Sequence, residues 1–283
     1  MKIEHFFDDF TYTLTYVVFD EATKKGVVID TVTNFDPASG RTSNESNDEV
    51  AAYLDENGID LLYVLDTHAH ADHFSGMPYF KEKYGAKTVI GDYIKSVQKV
   101  FCGIFTIEDC RTDGSHFDLL IKDGDTLEAG PLTITAIHTP GHTPACLTYH
   151  IGDALFVGDA MFMPDYGTGR CDFPGGSASA LYDSVQKIYA FPDDTRIFTC
   201  HDYLPGGREL RYQSTVGEQK RNNIQLNAET TRADYIAFRE ARDATLSMPK
   251  LILPSLQVNI RAGLLPVAEA SGISYLKLPL NKF

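Results

Sequence analysis

Positive charge is scarce in this chain of 283 residues: 25 lysines and arginines stand against 39 aspartates and glutamates, a formal net charge of −14. Binding a phosphate backbone needs an electropositive surface, so the composition argues against a nucleic-acid partner. An anionic small substrate then requires a local basic group. Cysteine is scarce as well. Cys102, Cys110, Cys146, Cys171 and Cys200 are odd in number, widely spaced and contain no CxxC. That pattern argues against a disulfide framework or a cysteine zinc knot and fits a reducing compartment. No apolar run approaches the length of a membrane span, so no membrane partner is expected. The opening MKIEHFFDDF has neither the basic and apolar regions of a secretory signal nor an Arg-rich transit pattern, and a cytoplasmic location is the expectation.

What is present is alternation of strand and helix patterns. Thr11 to Phe19 and Gly26 to Asp30 read as a β-hairpin. Thr31 to Asn47, rich in small polar residues, reads as a long loop, functional or mobile. A helical pattern from Asp48 to Asn57 is closed by Gly58, and Leu61 to Leu65 is an apolar run expected to be a buried strand. Helices near Met77 to Tyr84 and Tyr93 to Phe101 flank a strand at Thr88 to Ile90. Phe117 to Ile137 reads as paired strands, with turns at Asp123-Gly124 and Gly130-Pro131. Short strands fit Cys146 to Ile151, Ala154 to Val157 and Arg196 to Thr199, and a helix fits Ala178 to Tyr189. The tail carries helical patterns near Val216 to Leu226 and Arg232 to Thr245, then a proline-punctuated ending. A single mixed α/β domain with a C-terminal extension is predicted.

Of the nine histidines, three fall in VLDTHAHADHFSG, Val64 to Gly76. Four apolar runs end in a ligand-type residue: Leu61 to Leu65 before His68, Ile134 to Ile137 before the turn holding His142, Ala154 to Gly158 before Asp159, and Arg196 to Cys200 before His201. Strands in one sheet that end this way would converge their ligands on one cleft at its edge. His68-x-His70-x-Asp72-His73 is not a helix face, because residues two apart point away from each other there. On a tight loop, His68 and His70 are expected to aim one way and Asp72 and His73 another. Imidazole suits zinc, iron, copper or nickel, and a carboxylate can bridge two ions. Thr139-Pro140-Gly141 breaks any helix, so His138 and His142 are not a helical ligand pair. His5, His116, His138 and His150 are read as surface or core residues.

THAHADH, TPGHT, VGDAMF and a late His-Asp-Tyr, in this order from about Thr11 to Tyr203, resemble the metallo-β-lactamase superfamily. The resemblance implies a four-layer αββα sandwich with the metal site at one edge. On this reading the core covers about residues 1–205, and an extension over about 206–283 completes the substrate pocket. GRCDF (Gly169 to Phe173), TCHDY (Thr199 to Tyr203) and QVNIRAG (Gln257 to Gly263) are similar to segments of the persulfide (sulfur) dioxygenases. Carried over, His68, His142 and Asp159 would ligate one iron(II) per chain. His70, Asp72, His73 and His201 would be the remainder of a two-metal set. Arg170, Asn259 and Arg261 would hold a glutathione-like thiol carrier, and Asp72 and Tyr203 would be catalytic. The implied reaction oxidises a thiol persulfide with dioxygen, giving sulfite and thiol, and the resemblance also implies a homodimer. Cys171 stands where that family has threonine, the loop from Thr31 to Asn47 is longer than its counterpart, and Tyr93 to His116 reads as added sequence.

The same seven ligands permit one or two zinc ions and a thioesterase or lactonase resembling glyoxalase II, with a metal-activated water as nucleophile. A module that holds a metal or thiol without turnover is the third reading. Arg170 has a competing role in a salt bridge with Asp172, and Cys171 reads as packed rather than reactive. Tyr166 and Phe173 are candidate pocket walls.

Overall fold

The computed structural model describes residues 1–107 and 110–282. In chain order, β1 (Lys2–Asp8), β2 (Thr13–Phe19), β3 (Lys25–Ile29), β4 (Val32–Asp36) and β5 (Arg41–Ser43) precede α1 (Glu45–Asn57). Then follow β6 (Asp60–Leu65), β7 (Phe74–Ser75), α2 (Met77–Tyr84), β8 (Lys87–Gly91), α3 (Ile94–Phe105) and β9 (Leu119–Ile121). The second half runs β10 (Thr126–Ala129), β11 (Leu132–His138), β12 (Leu147–Ile151), β13 (Ala154–Phe156), α4 (Ala178–Tyr189), β14 (Arg196–Phe198) and β15 (Gln213–Thr215). It ends with α5 (Val216–Asn222), α6 (Arg232–Asp243) and α7 (Ile252–Asn259).

Two six-stranded sheets carry the fold, ordered β1-β2-β3-β6-β8-β9 and β10-β11-β12-β13-β14-β15. β3, β6, β8 and β9 run parallel, and α1, α2 and α3 form the crossovers that parallel neighbours require. In the second sheet only β13 and β14 are parallel, and α4 connects them. Strand alternation separates the layers. Along β2, Tyr16 and Val18 pack between the sheets with Ile134, Tyr149 and Phe156, while Val17 and Phe19 face the first helical layer with Leu54 and Phe80. Leu155 and Ile197 cover the far side of the second sheet with Leu181, Val185 and Ile188 of α4. β2 is buried along its whole length because apolar layers lie on both its faces. This is the expected αββα sandwich.

Several expectations need correction. Thr31 to Asn47 is not an open loop: β4 and β5 form a hairpin that joins β7 in a third, small sheet. Phe35 stacks on Phe74 with ring centroids 4.5 Å apart, which anchors it. β9 belongs to the first sheet and β10 to the second, so the strands of Phe117 to Ile137 do not all pair with one another. Cys102 and Cys110 are joined as a disulfide, contrary to the reading of the cysteine spacing. Thr106, in left-handed backbone (φ 49°), ends α3, and the two cysteine Cα atoms lie 5.8 Å apart. Within Tyr93 to His116, Glu108 and Asp109 lie outside the described residues. α7 was hidden by Pro249 and Pro254. Pro254 sits in the helix's first turn, where its missing N–H breaks no intrahelical bond. Among the described residues no helix is long and apolar enough to cross a membrane.

Candidate metal centre

The ligand-type residues converge, but from both sheets rather than one. β6 of the first sheet leads into Asp66-Thr67-His68 and the loop through His73. β11 leads to His142, β13 to Asp159 in a 3-10 turn, and β14 to His201, all in the second sheet. Gly158 lets the second sheet approach the first. Its φ is +52°, and a Cβ there would lie 2.6 Å from the Thr67 hydroxyl, beside His68. The carboxylate and imidazole atoms fall into sets whose members all lie within 4.8 Å of one another. One set is His68, His142 and Asp159; another is His70, Asp72, His73 and His201. His70 therefore groups with Asp72 and His73, not with His68 as the loop spacing suggested.

Each of the five histidines has one ring nitrogen tied back to the protein. His68 Nδ1 meets the Thr67 hydroxyl at 3.0 Å, and His70 Nε2 meets Asp30 Oδ1 at 3.0 Å. His142 Nδ1 donates to the Arg170 carbonyl at 2.8 Å. His73 Nδ1 lies 3.3 Å from the Thr13 hydroxyl, and His201 Nδ1 lies 3.2 Å from the Tyr12 carbonyl. Such partners fix the ring orientation and leave the other nitrogen for a metal. His68 Nε2, His70 Nδ1, Asp72 Oδ2, His73 Nε2, Asp159 Oδ1 and His201 Nε2 are buried without a hydrogen-bond partner. Leaving one buried polar atom unpaired costs about 1–3 kcal/mol. Six facing one another are explained by metal coordination, and the donor set fits that explanation.

Electrostatics favour the ligand-competent forms of His68 and Asp72, whereas His70 is held charged by Asp30 and must give up a proton to bind a metal. Burial, aided by neighbouring His70 and His142, holds His68 well below its ordinary pKa, so the imidazole is neutral. Burial opposes ionisation of Asp72, but His201 and His73 outweigh it and hold the carboxyl well below its usual range. Burial also opposes a charge on His70, but the Asp30 carboxylate more than compensates and lifts the imidazolium to about 9. Cys200 lies close to Asp30 and His70, yet burial first, then the surrounding carboxylates, pushes its thiol up and keeps it protonated.

A cavity of about 410 Å³ opens over the cluster, with Asp72, His142 and Asp159 in its lining. That volume suits a small-molecule ligand. Phe162, Tyr166, Phe173 and Tyr203 contribute aromatic walls, and the Tyr203 ring stacks on His201 with centroids 5.5 Å apart. Burial, then Asp72 and Asp159, pushes the Tyr203 phenol up, so it stays protonated. Arg170 reaches the cavity with its guanidinium already engaged. Nε and one Nη donate to Asp172 at 2.6 Å each, and the other Nη donates to the Ser247 carbonyl at 2.7 Å. Burial pushes the Cys171 thiol up, as expected of a packed cysteine.

Asn259 and Arg261, expected to bind a carrier, do not line the cavity; both are buried. Asn259 sits instead under the ligand loop, with its amide bonded to that loop's backbone. The sequence reading missed three residues of the site. Asp30 ends the apolar run Gly26 to Ile29, the same strand-end signal that identified the four ligand positions. Arg242 and Lys250 line the cavity, and among the described residues their charged side-chain groups make no hydrogen bond or ion pair. No local pattern distinguished them from ordinary surface cations.

The Metallo-beta-lactamase superfamily pattern matches residues 8–201. A probable metallo-hydrolase of Burkholderia pseudomallei is 48% identical, with 99% of each chain covered. A β-lactamase hydrolase-like protein of Agrobacterium fabrum is 51% identical over 99% of this chain; the chain spans 64% of that longer protein. The human mitochondrial persulfide dioxygenase ETHE1 is 32% identical, covering 92% of this chain and 88% of its own. The crystal structure of ETHE1 from Myxococcus xanthus superposes with a TM-score of 0.75 at 30% identity, covering 93% of this chain and all of that one. Site geometry, fold and relatives agree: the chain belongs to the metallo-β-lactamase superfamily.

Proposed function

We propose that this protein is an iron(II)-dependent persulfide dioxygenase acting on a thiol persulfide such as glutathione persulfide. The observation that carries the reading is the set His68, His142 and Asp159, clustered within 4.8 Å, with His142 and Asp159 lining the cavity. Two imidazoles and one carboxylate are the donor set of non-haem iron(II) oxygenases, which leave positions open for other ligands. Likeness to the persulfide dioxygenases over nine-tenths of the chain supports the same reading. Iron(II) held by these three residues would supply the redox chemistry that joins dioxygen to sulfur. The overall reaction is RSSH + O₂ + H₂O → RSH + SO₃²⁻ + 2 H⁺.

The chain's own residues orient the substrate. Arg242 and Lys250 offer unpaired positive charge to carboxylates of the thiol carrier, in place of the engaged Arg170. Tyr166 and Phe173 keep water from the sulfur. Asp72 reaches the cavity wall, with its Oδ2 3.1 Å from His201 Nε2. The protonated Tyr203 hydroxyl acts as a hydrogen-bond donor to the bound substrate.

A second reading has its own observation in favour. His70, Asp72, His73 and His201 form a further cluster whose unpartnered atoms face each other. Two zinc ions would use all seven ligands and suit a hydrolase of thioesters or lactones. Oxygen uptake by iron(II)-loaded protein given glutathione persulfide separates the two readings, with metal content measured on the same sample. Uptake that requires persulfide and about one iron per chain supports the dioxygenase. No uptake, with two zinc ions bound and thioester turnover, assigns the site to the hydrolase.

A further inference from the structure

Asn259 closes α7, far beyond residue 201, where the superfamily match ends. Its side chain is 1% exposed and bridges the ligand loop. Nδ2 donates to the His70 carbonyl at 2.8 Å and to the His73 carbonyl at 2.7 Å, while Oδ1 accepts from the Ser75 N–H at 2.8 Å. Two carbonyls require the amide's two donors and one N–H requires its oxygen, so only this orientation satisfies all three groups. The bridged segment is the one that presents His70, Asp72 and His73. α7 is itself held firmly. Gln98 Nε2 donates to the Ile260 carbonyl at 2.8 Å, and Gln98 Oε1 accepts from Gly114 N–H at 3.0 Å. Gly263 then lies so close to the loop that a Cβ would stand 2.5 Å from the Ser75 carbonyl oxygen and 2.6 Å from Pro78 Cδ.

We infer that Asn259 is a positioning residue for the metal centre: the C-terminal helix holds the His70–Ser75 backbone in its ligand-presenting shape. An unbridged loop would sample other shapes, and apparent metal affinity falls with the fraction of competent loop. The bridged segment carries three of the four residues of the second cluster, so the inference concerns metal held there and does not depend on the reaction the site performs. Loss of an outer hydrogen-bond partner of metal ligands typically costs 10–100-fold in affinity.

The test compares wild type, Asn259→Asp, Asn259→Ser and Gln257→Ala by chelator competition for zinc and by the visible spectrum of cobalt(II). Gln257 is on the same helix, but its amide bonds the Leu253 and Lys277 carbonyls and never touches the loop. Both Asn259 variants should bind metal roughly 10–100-fold more weakly and show an altered cobalt spectrum. Gln257→Ala should melt earlier with wild-type affinity. Folded Asn259 variants with wild-type affinity and spectrum would overturn the inference, as would equal metal loss in Gln257→Ala. Hydrogen exchange on metal-free wild type gives a check that needs no variant. The Ser75 amide should exchange as slowly as amides of the core strands, and exchange at the rate of an open loop would overturn the bridge.

Discussion

Removing the Asp30 carboxylate should destabilise the metal-free protein by an amount and with a pH dependence that can be stated in advance. Asp30 is 2% exposed and accepts from Thr67 N–H at 2.7 Å, from the Thr67 hydroxyl at 3.0 Å and from His70 Nε2 at 3.0 Å. Asp30→Ala strands all three donors, one of them a buried imidazolium. Breaking a buried ion pair by removing one partner costs about 3–5 kcal/mol. At ~2.1 cal/mol/K of unfolding entropy per residue, a chain of this length should melt roughly 5–8 °C lower. Asp30→Asn keeps an acceptor but removes the charge, and about half that loss is expected. The pH dependence follows from both partners. His70 is raised to about 9 in the folded protein from about 6.5 unfolded. Its contribution is therefore complete below the unfolded value and is lost as pH rises through about 9. Asp30 is lowered on folding; burial opposes this, and His70 and Thr67 outweigh it. Its contribution is present above the unfolded pKa and is lost as pH falls through the folded one. The wild-type advantage should be widest near pH 6 and shrink toward pH 9. Thermal unfolding of metal-free protein, followed by circular dichroism at both pH values, measures it. A difference below about 1 kcal/mol at pH 6 would refute the argument, and so would one that grows with pH.

Three further outcomes are expected. His142→Ala or Asp159→Ala should release the metal and abolish turnover; stoichiometric metal in either purified variant would defeat the ligand assignment. Arg242→Ala or Lys250→Ala should raise KM for glutathione persulfide roughly 10–100-fold, as for loss of one charge-assisted contact. Inorganic persulfide should be unaffected, and equal effects on both substrates would remove these cations from carrier binding. Gly158→Ala forces a side chain at φ +52° against Thr67 and should cost about 2–4 kcal/mol while loosening the metal. Unchanged melting and metal affinity would show that the two sheets need not approach so closely there.

Much of the site was legible because its ligands follow strand ends, a local pattern that survives in one dimension. His68, His142, Asp159 and His201 each lie a few residues past an apolar run, and the loop spacing of His70, Asp72 and His73 excludes a helix. The helix Ala178–Tyr189 was legible because its buried residues recur at helical spacing: Leu181, Val185 and Ile188. What failed had non-local causes. The hairpin of β4 and β5 is made by pairing with a two-residue strand after the ligand loop, and α7 by burial that overrides its prolines.

The sequence alone therefore determined the donor chemistry, the mixed α/β class and the scarcity of positive charge, because composition and strand or helix period are properties of the chain, while the sandwich architecture followed from the family resemblance. Only the tertiary structure decided which donors share a cluster, that the Arg170 guanidinium is engaged while that of Arg242 and the Lys250 ammonium have no partner among the described residues, and that Asn259 bonds the ligand loop and does not line the cavity. Those outcomes are set by distances between residues up to 189 positions apart, and the local pattern around each residue does not encode such distances.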